Sequence, residues 1–592
     1  MEHNRAFAED CRRLFASRYG RRWKSAAASA LEIGRTSLYR YLSGEFPVPD
    51  EIRVRLAELA RAPAGPDAGR KFFTTPPGGL RMLPEDKIRD KTRPFTGAEY
   101  IESLKDGREV YIDGERVEDV TTHSAFRNSV RSIARLYDAL HDPERREVLT
   151  CPTDTGSEGY THRFFRVARS REALIAQQKA IAEWSRLTYG WMGRTPDYKA
   201  SLMNTLGANA EYYGQFAANA RSWYRRVQET ALFMNHAIVN PPVDRGRPTS
   251  EVKDVYVTIQ RESDAGVVVS GAKVVATSAA LTHYNFLGQN AATATADPDL
   301  AIMFILPMDA PGVKLICRNS YEKIATTLGT PYDYPLSSRF DENDAIFVLD
   351  NVLIPWENVL VHRDTEKILS FYPRSGFLNG FCFQGCTRFA VKLDFIAGLV
   401  ARALNAPGGD EFRGNQAMLG EIVAWRNLFW SLSDCMATNP QPWIGDAVLP
   451  NLQAALSYRV FAPDAYSRIK EIIEKIVASS LIYLPSSARD FLNPAIDPYL
   501  ARYVRGSNGI GYKERIKIMK LLWDAIGSEF GGRHELYERN YAGNHEDIRI
   551  QTLTGARRSG ALDQMLGLVE RCMADYDERG WLGDTWVNSA PA

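Results

Sequence analysis

The hydrophobic spacing along the chain changes period more than once, and the changes mark out its parts. From Phe7 to Ala60 apolar positions recur at helical spacing in AFAEDCRRLFASRYG, KSAAASAL, RTSLYRYLSG and DEIRVRLAELA, separated by Gly34, by Gly44 and by Pro47 to Pro49. Glycine and proline end helices, and Asp50 stands where it would cap the last one, so residues 1–61 are expected to form a small helical unit. Residues 62–92 are dense in Pro and Gly and carry neither period, which predicts a linker. Helical spacing returns over 93–235 in THSAFRNSVRSIARLYDALH, in REALIAQQKAIAEWSRLTYG and in a run ending at Phe233, with one polar hairpin-like insert, EVYIDGERVEDV. Alternation then takes over from Asp254, in DVYVTIQRES, VVVSGAKVVAT, AIMFILPM, GVKLICR and AIFVLDNVLIP, and predicts an antiparallel β domain over 236–366. Beyond about Lys367, stretches such as NQAMLGEIVAWRNLFWSLSDCMA and YSRIKEIIEKIVASSLIYL predict a helical bundle over 367–592. Helices, a sheet and helices again make an α+β architecture, with a cavity expected where the sheet meets the helical parts.

Composition narrows the class. At 592 residues the chain is long enough for about three or four domains. Its net charge of +1 gives no overall pull towards nucleic acid or an anionic membrane. No apolar run approaches the roughly 18 residues of a membrane span, and MEHNRAFAEDCRRLF is charged from the start, so a cytoplasmic protein is expected. Of the seven Cys only Cys382 and Cys386 are close, at a spacing that suits one helix face better than a zinc knuckle, and no metal site is expected. The nearest approach to a dinucleotide fingerprint, Gly509 to Glu514, lacks the third Gly and follows no strand. A phosphate loop, HExxH and GxSxG are missing as well.

The candidate chemistry sits in YGWMGRTPDY, where Arg194 and Tyr198 lie four apart beside Gly193 and Pro196, at the end of a helix. His236 follows in FMNHAIVNPPVDR, before a Pro-Pro break. Together they would hold an aromatic ring by its hydroxyl: Arg stabilises a phenolate, His takes a proton near neutral pH and Tyr donates or accepts. From spacing alone, an Arg near a Tyr is more often a surface or structural contact and a lone His more often a satisfied structural residue. The N-terminal unit resembles phage-repressor-like helix-turn-helix domains, with an alanine-rich second helix, a Gly in the turn and a Thr-Ser start to the recognition helix. On that likeness Arg35, Thr36, Ser37 and Arg40 would face DNA, and Arg21, Arg22 and Lys24 would add backbone contacts. A bundle that packs on the main body or binds protein is the other reading.

From Arg93 to about Trp581 the chain closely resembles the oxygenase components of two-component 4-hydroxyphenylacetate 3-monooxygenases, within the acyl-CoA dehydrogenase-like fold. The likeness runs through RPFTGAEYIESLKDGREVYIDGERV, TDTGSEGYTHRFFRVA, AEWSRLTYGWMGRTPDYKA, NHAIVNPPVDR, DNVLIPWENVL and WDAIGSEFGGRHELYERNYAG. It implies an enzyme that receives reduced FAD from a separate NAD(P)H:flavin reductase, adds O2, and passes one oxygen to the carbon ortho to a phenol hydroxyl, giving a catechol. Water must be kept out and the phenol drawn towards phenolate, and Arg194, Tyr198 and His236 match the residues for the second task. It further implies flavin contacts at Asn240, Arg245, Thr249 and Thr277, completed by Gly527, Ser528, Glu529 and Phe530 of the GSEFGG segment, and a homo-oligomer, a dimer of dimers.

One loop departs from that pattern. After THYNF the chain reads LGQNAATATADPD, where the family carries a longer loop with glycine and serine over the substrate's tail, and Gln289 and Asn290 are the polar groups on offer. The hydroxyl end of the substrate looks kept and the tail end does not, so coumarates, tyrosine derivatives and carrier-bound phenols stand beside 4-hydroxyphenylacetate. Two rival classes are a radical dehydratase, for which the scattered cysteines offer no iron–sulfur ligand set, and a DNA-binding regulator that senses a ligand with an enzyme-like body.

Overall fold

A computed structural model of the chain describes residues 82–88, 90–289 and 297–588, together with ten isolated positions before Met82. Asn290 and the DNA-facing candidates Arg21, Arg22, Lys24, Arg35, Thr36, Ser37 and Arg40 lie outside the described residues. The chain divides into two compact units, one of residues 1–86 with 261–267 and one of 87–260 with 268–592. Within the four N-terminal runs of helical spacing, the backbone is helical at Glu9, Cys11, Ala27, Leu38, Tyr41, Leu42, Ile52 and Leu56, and Cys11, Ala27, Leu38 and Leu56 are buried.

The second unit begins with α1 (Gly97–Ser103), held by a capping box in which Thr96 and Glu99 satisfy each other's backbone N–H groups. A hairpin, β1 (Glu109–Ile112) and β2 (Glu115–Val117), precedes α2 (Arg127–Ala139), α3 (Arg171–Leu187), α4 (Pro196–Met203) and α5 (Ala217–Thr230). The strands that follow are β3 (Met234–Ala237), β4 (Thr258–Ser263), β5 (Gly266–Lys273), β6 (Tyr284–Leu287), β7 (Ile302–Pro307), β8 (Val313–Cys317), β9 (Ala345–Pro355) and β10 (Val359–His362). They form a six-stranded sheet in the order β2-β1-β8-β9-β5-β4 and a four-stranded sheet in the order β10-β7-β6-β3.

The antiparallel expectation needs correction at two pairings. β1 runs parallel to β8, with Glu109 opposite Lys314, and β3 runs parallel to β6, with His236 opposite Phe286. Parallel pairing needs a long connection, and each of these pairs has one. The polar insert expected among the N-terminal helices is therefore the edge of the large sheet. β3 and β6 have four residues each, and all but His236 are buried, so they show no alternation and periodicity passed over them.

The C-terminal part starts with α6 (Thr365–Arg374) and α7 (Phe377–Asn405), followed by α8 (Arg413–Thr438), α9 (Leu452–Val477), α10 (Tyr512–Ile526) and α11 (Glu529–Asn540). The 29-residue α7 is the bundle's central helix and packs against α3, α4, α8 and α9. It buries Cys382 and Cys386, but also Arg388 and Lys392, and those charges need a partner. Glu538 of α11 provides it: Arg388 Nη2 donates to its Oε2 at 2.9 Å and Lys392 Nζ to its Oε1 at 2.9 Å. Among the described residues no helix is long and apolar enough to cross a membrane.

Burial by itself would raise the Glu538 carboxyl, but Arg388 and Lys392 outweigh it and bring it from 4.5 to about 2. The folded state thus favours the carboxylate, and the stability this adds is present above 4.5 and is lost as pH falls towards about 2. Glu538→Gln leaves two buried cations without a counter-charge and is expected to cost about 3–5 kcal/mol in urea unfolding at neutral pH. The loss relative to the parent should shrink as pH is lowered through that window.

Candidate active site

α4 is buried on every side, yet it contains Asp197, Tyr198, Lys199 and Ser201, and polar groups are seldom buried so densely without a task. Pro196 stands at its first position, where a missing N–H costs nothing, and Thr195 turns its hydroxyl to Asp197. Just before it, Gly193 passes so close to Tyr537 that a Cβ there would stand 2.2 Å from the phenol oxygen. This approach sets Arg194 at the centre of the group. Its backbone N–H donates to Glu342 Oε1, and its guanidinium carbon lies 3.9 Å from the Tyr198 ring centroid, 5.1 Å from that of Tyr541 and 5.5 Å from that of Tyr537.

Arg194 is 9% exposed, its Nη1 is buried without a hydrogen-bond partner, and among the described residues no carboxylate pairs with its guanidinium. Burial opposes the charge, but Tyr198, Tyr537, Tyr541 and Glu342 outweigh it and the group stays cationic with its pKa raised. The Tyr198 hydroxyl is pushed up by burial and partly brought back by Arg194. His236 projects from β3 with its ring 5.5 Å from that of Tyr198, and Lys199 Nζ stands 2.7 Å from its Nδ1. Burial first, then Lys199 and Arg194, hold His236 well below its ordinary pKa, so the imidazole is neutral around pH 7. The three residues singled out in the sequence thus meet. Lys199 was missed, although it directly follows Tyr198 in the same buried helix.

Behind them, Arg533 of α11 grips Asp344 with Nε at 3.0 Å and Nη2 at 2.8 Å, and Arg318 reaches the same carboxylate at 3.0 Å. Thr277 donates its hydroxyl to Asp344 Oδ1 at 2.6 Å. Next to it Asn235 Nδ2 donates to the carbonyls of Thr277 and Arg194, and Ser278 N–H to that of Asn343. Along this strip Asn235 Oδ1, Ser278 Oγ and Asn343 Oδ1 are all buried without partners, and Ser278 adopts a left-handed backbone conformation.

The other sequence candidates scatter. Arg245 is exposed and Thr249 half-buried on the segment after the Pro-Pro break. Asn240 and Gln289 are joined through Lys273, whose Nζ donates to Asn240 Oδ1 at 2.7 Å and to Gln289 Oε1 at 2.8 Å, while Gln289 Nε2 donates to Val257 O. Gln289 is therefore buried and hydrogen-bonded on both atoms of its amide. In the GSEFGG segment Gly527 and Ser528 make the corner between α10 and α11, with Ser528 accepting from Gly531 N–H, while Glu529 is exposed and Phe530 packs on Trp191. The groups that reach the Arg194 cluster from here are Arg533, Tyr537 and Tyr541, four residues apart on one helix face, and that spacing was readable in RHELYERNY.

Two family profiles match the chain, one described as 4-hydroxyphenylacetate 3-hydroxylase N terminal over residues 96–361 and one as its C terminal over 368–570. The chain is 62% identical over 501 residues to a 4-hydroxyphenylacetate 3-monooxygenase oxygenase component of Pseudomonas aeruginosa, covering 84% of this chain and 96% of that one. It is 55% identical over 494 residues to a 4-nitrophenol 2-monooxygenase oxygenase component of Rhodococcus sp, covering 83% and 93%. It superposes on a crystal structure of the oxygenase component of 4-hydroxyphenylacetate 3-monooxygenase complexed with FAD and 4-hydroxyphenylacetate with a TM-score of 0.75 and 32% identity, covering 81% of this chain and 99% of that one.

Gly193→Ala tests the approach that sets Arg194. The added Cβ has to displace the Tyr537 phenol, and overpacking of this kind costs about 1–3 kcal/mol, read as a lowered Tm. Tyr537→Phe removes the nearest atom, so the double variant should recover part of that loss.

Proposed function

The chain belongs to the 4-hydroxyphenylacetate 3-hydroxylase family, and from that premise we propose that it hydroxylates a para-substituted phenol ortho to its hydroxyl, with reduced FAD and O2. The observation that carries this reading is the buried Arg194 cation, which has an unpartnered Nη1 and, among the described residues, no carboxylate ion-paired to its guanidinium. A phenol oxygen placed there satisfies the donor and shares its negative charge with a cation that never loses its proton. Low dielectric strengthens that attraction, and moving the phenol towards phenolate raises electron density at the ortho carbon. Tyr198 holds the guanidinium by its ring face and His236 offers a neutral imidazole to the same oxygen. Closure by α4, β3, α7 and α11 keeps bulk water away from the reacting carbon.

The strip of unpartnered polar atoms on Asn235, Ser278 and Asn343 fits the polar edge of a flavin ring, next to Thr277. Arg245 and Thr249 are suited to the pyrophosphate further out, as Arg and hydroxyl groups are elsewhere. Reduced FAD, when bound, supplies with O2 the oxygen atom that becomes the new hydroxyl. No dinucleotide fingerprint is written in the chain, so a separate NAD(P)H:flavin reductase is its partner, with both in the cytoplasm. The enzyme acts as a homo-oligomer, a dimer of dimers. The phenols in the names of two relatives, 4-hydroxyphenylacetate and 4-nitrophenol, share a para-substituted ring, and that shared part is what Arg194, Tyr198 and His236 would recognise.

Supplied with FAD, a generic flavin reductase and a panel of para-substituted phenols, the protein should release catechols detectable by chromatography; no product from any of them would overturn the proposal. In the same assay His236→Ala should divert the reducing equivalents to hydrogen peroxide. Arg194→Ala should also weaken phenol binding tenfold to hundredfold, since a charge-assisted hydrogen bond contributes about 1.5–3 kcal/mol.

For residues 1–61 we propose an appended DNA-binding unit, supported by eleven Arg and one Lys against eight acidic residues over positions 1–62. A chain beginning at Arg93 should keep its hydroxylase activity. The full chain should bind duplex DNA weakly and lose affinity steeply as salt rises, and salt-insensitive or undetectable binding would make the unit a protein-contact module instead.

A further inference from the structure

We propose that Lys199 accepts the phenol proton through His236, so that the substrate ionises inside the protein without releasing a proton to solvent. This rests on the assignment of Arg194, Tyr198 and His236 as the phenol site. Lys199 is fully buried, and its Nζ is 2.7 Å from His236 Nδ1. Its remaining surroundings are aromatic: the ring centroids of Phe377, Phe286 and Tyr198 lie 4.1, 5.4 and 5.6 Å from Nζ. Among the described residues no carboxylate forms an ion pair with it.

A buried ammonium with one imidazole nitrogen as its acceptor and no counter-charge is expensive, and the cost is removed if the resting group is the neutral amine. Burial and Arg194 both act in that direction on Lys199. The amine then accepts the Nδ1–H of His236, which leaves His236 Nε2 as a bare acceptor. On ionisation the phenol O–H bond breaks as Nε2–H forms, and Nδ1–H breaks as a third Nζ–H forms. The products are a phenolate, a neutral imidazole and an ammonium, and the pocket's net charge does not change. Passing the proton to solvent would instead lower the pocket's net charge by one. The titratable and charged groups around the pair are Arg194, Asp197 and Tyr198 on its own segment, Tyr372 of α6, and Tyr541 after α11. The tyrosines are held neutral by burial, which raises each of them, and Arg194 stays charged. Asp197, raised to about 6 by burial, is held by the Thr195 hydroxyl, and Lys199 and His236 are the pair directly joined to each other at 2.7 Å. Lys199 acts through His236 and does not touch substrate, so it is a positioning residue whose protonation sets whether His236 Nε2 accepts or donates.

The test uses 4-nitrophenol, whose anion absorbs visible light, with the flavin-free full chain at a pH below the ligand's own pKa. Bound phenolate is read from absorbance, and proton release from calorimetry in buffers of different ionisation enthalpy. The parent should bind phenolate with no net proton release. Release of one proton per ligand would show a permanent Lys199 ammonium and overturn the relay alone. Failure of the parent to bind would overturn the pocket assignment and the relay with it. Lys199→Met should still bind the ligand but hold about tenfold less of it as phenolate, one unit in the bound ligand's pKa. Lys199→Arg, a fixed cation, should bind phenolate and release one proton. Phenolate bound without proton release by either variant would also overturn the proposal.

Discussion

The buried Arg194 guanidinium sets the terms for everything around it. A permanent charge in a protein interior requires compensation, and here it comes from the faces of Tyr198, Tyr537 and Tyr541 rather than from an acid. A carboxylate at hydrogen-bonding distance would neutralise the cation and remove its use to a substrate. Glu342 is instead turned to the backbone N–H of Arg194, and Arg533 and Arg318 hold the neighbouring carboxylates. The acids thus fix the position of the loop while Nη1 of the guanidinium keeps no hydrogen-bond partner.

That arrangement explains why elements distant in sequence must meet. Gly193 is needed because Tyr537 of α11 comes within contact distance of the chain. The four-stranded sheet is needed because β3 presents His236 towards α4 from the opposite side. α7 closes the space with Phe377 and, one turn after another, carries the buried Arg388 and Lys392 that fix α11 through Glu538. The polar strip behind it is built from the same pieces: Asn235 precedes His236 on β3 and its amide bridges the carbonyls of Arg194 and Thr277. The strip of Asn235, Ser278 and Asn343 and the Arg194 cluster therefore share one hydrogen-bonded support.

The order of helices, sheet and helices was legible because long amphipathic helices and the alternating β9 each expose one face and bury the other, and periodicity reports that contrast. Arg194, Tyr198 and His236 were legible because they lie in short stretches with distinctive text and agree with a family pattern. The two parallel pairings were not, since pairing partners are separated by tens to hundreds of residues and a strand buried on both faces has no alternation to read. Lys199 escaped notice because a lysine is ordinarily solvent-exposed, and only the packing of α4 on every side turns it into a buried base. Gln289, read as a group for the substrate's tail, is claimed by Lys273, a contact between residues that no local spacing connects. By itself the sequence determined the kind of chemistry, through residue types that carry charge and protons; the tertiary structure decided which of them lose water and which acid each faces, because desolvation and Coulomb attraction depend on distances that only the folded chain sets.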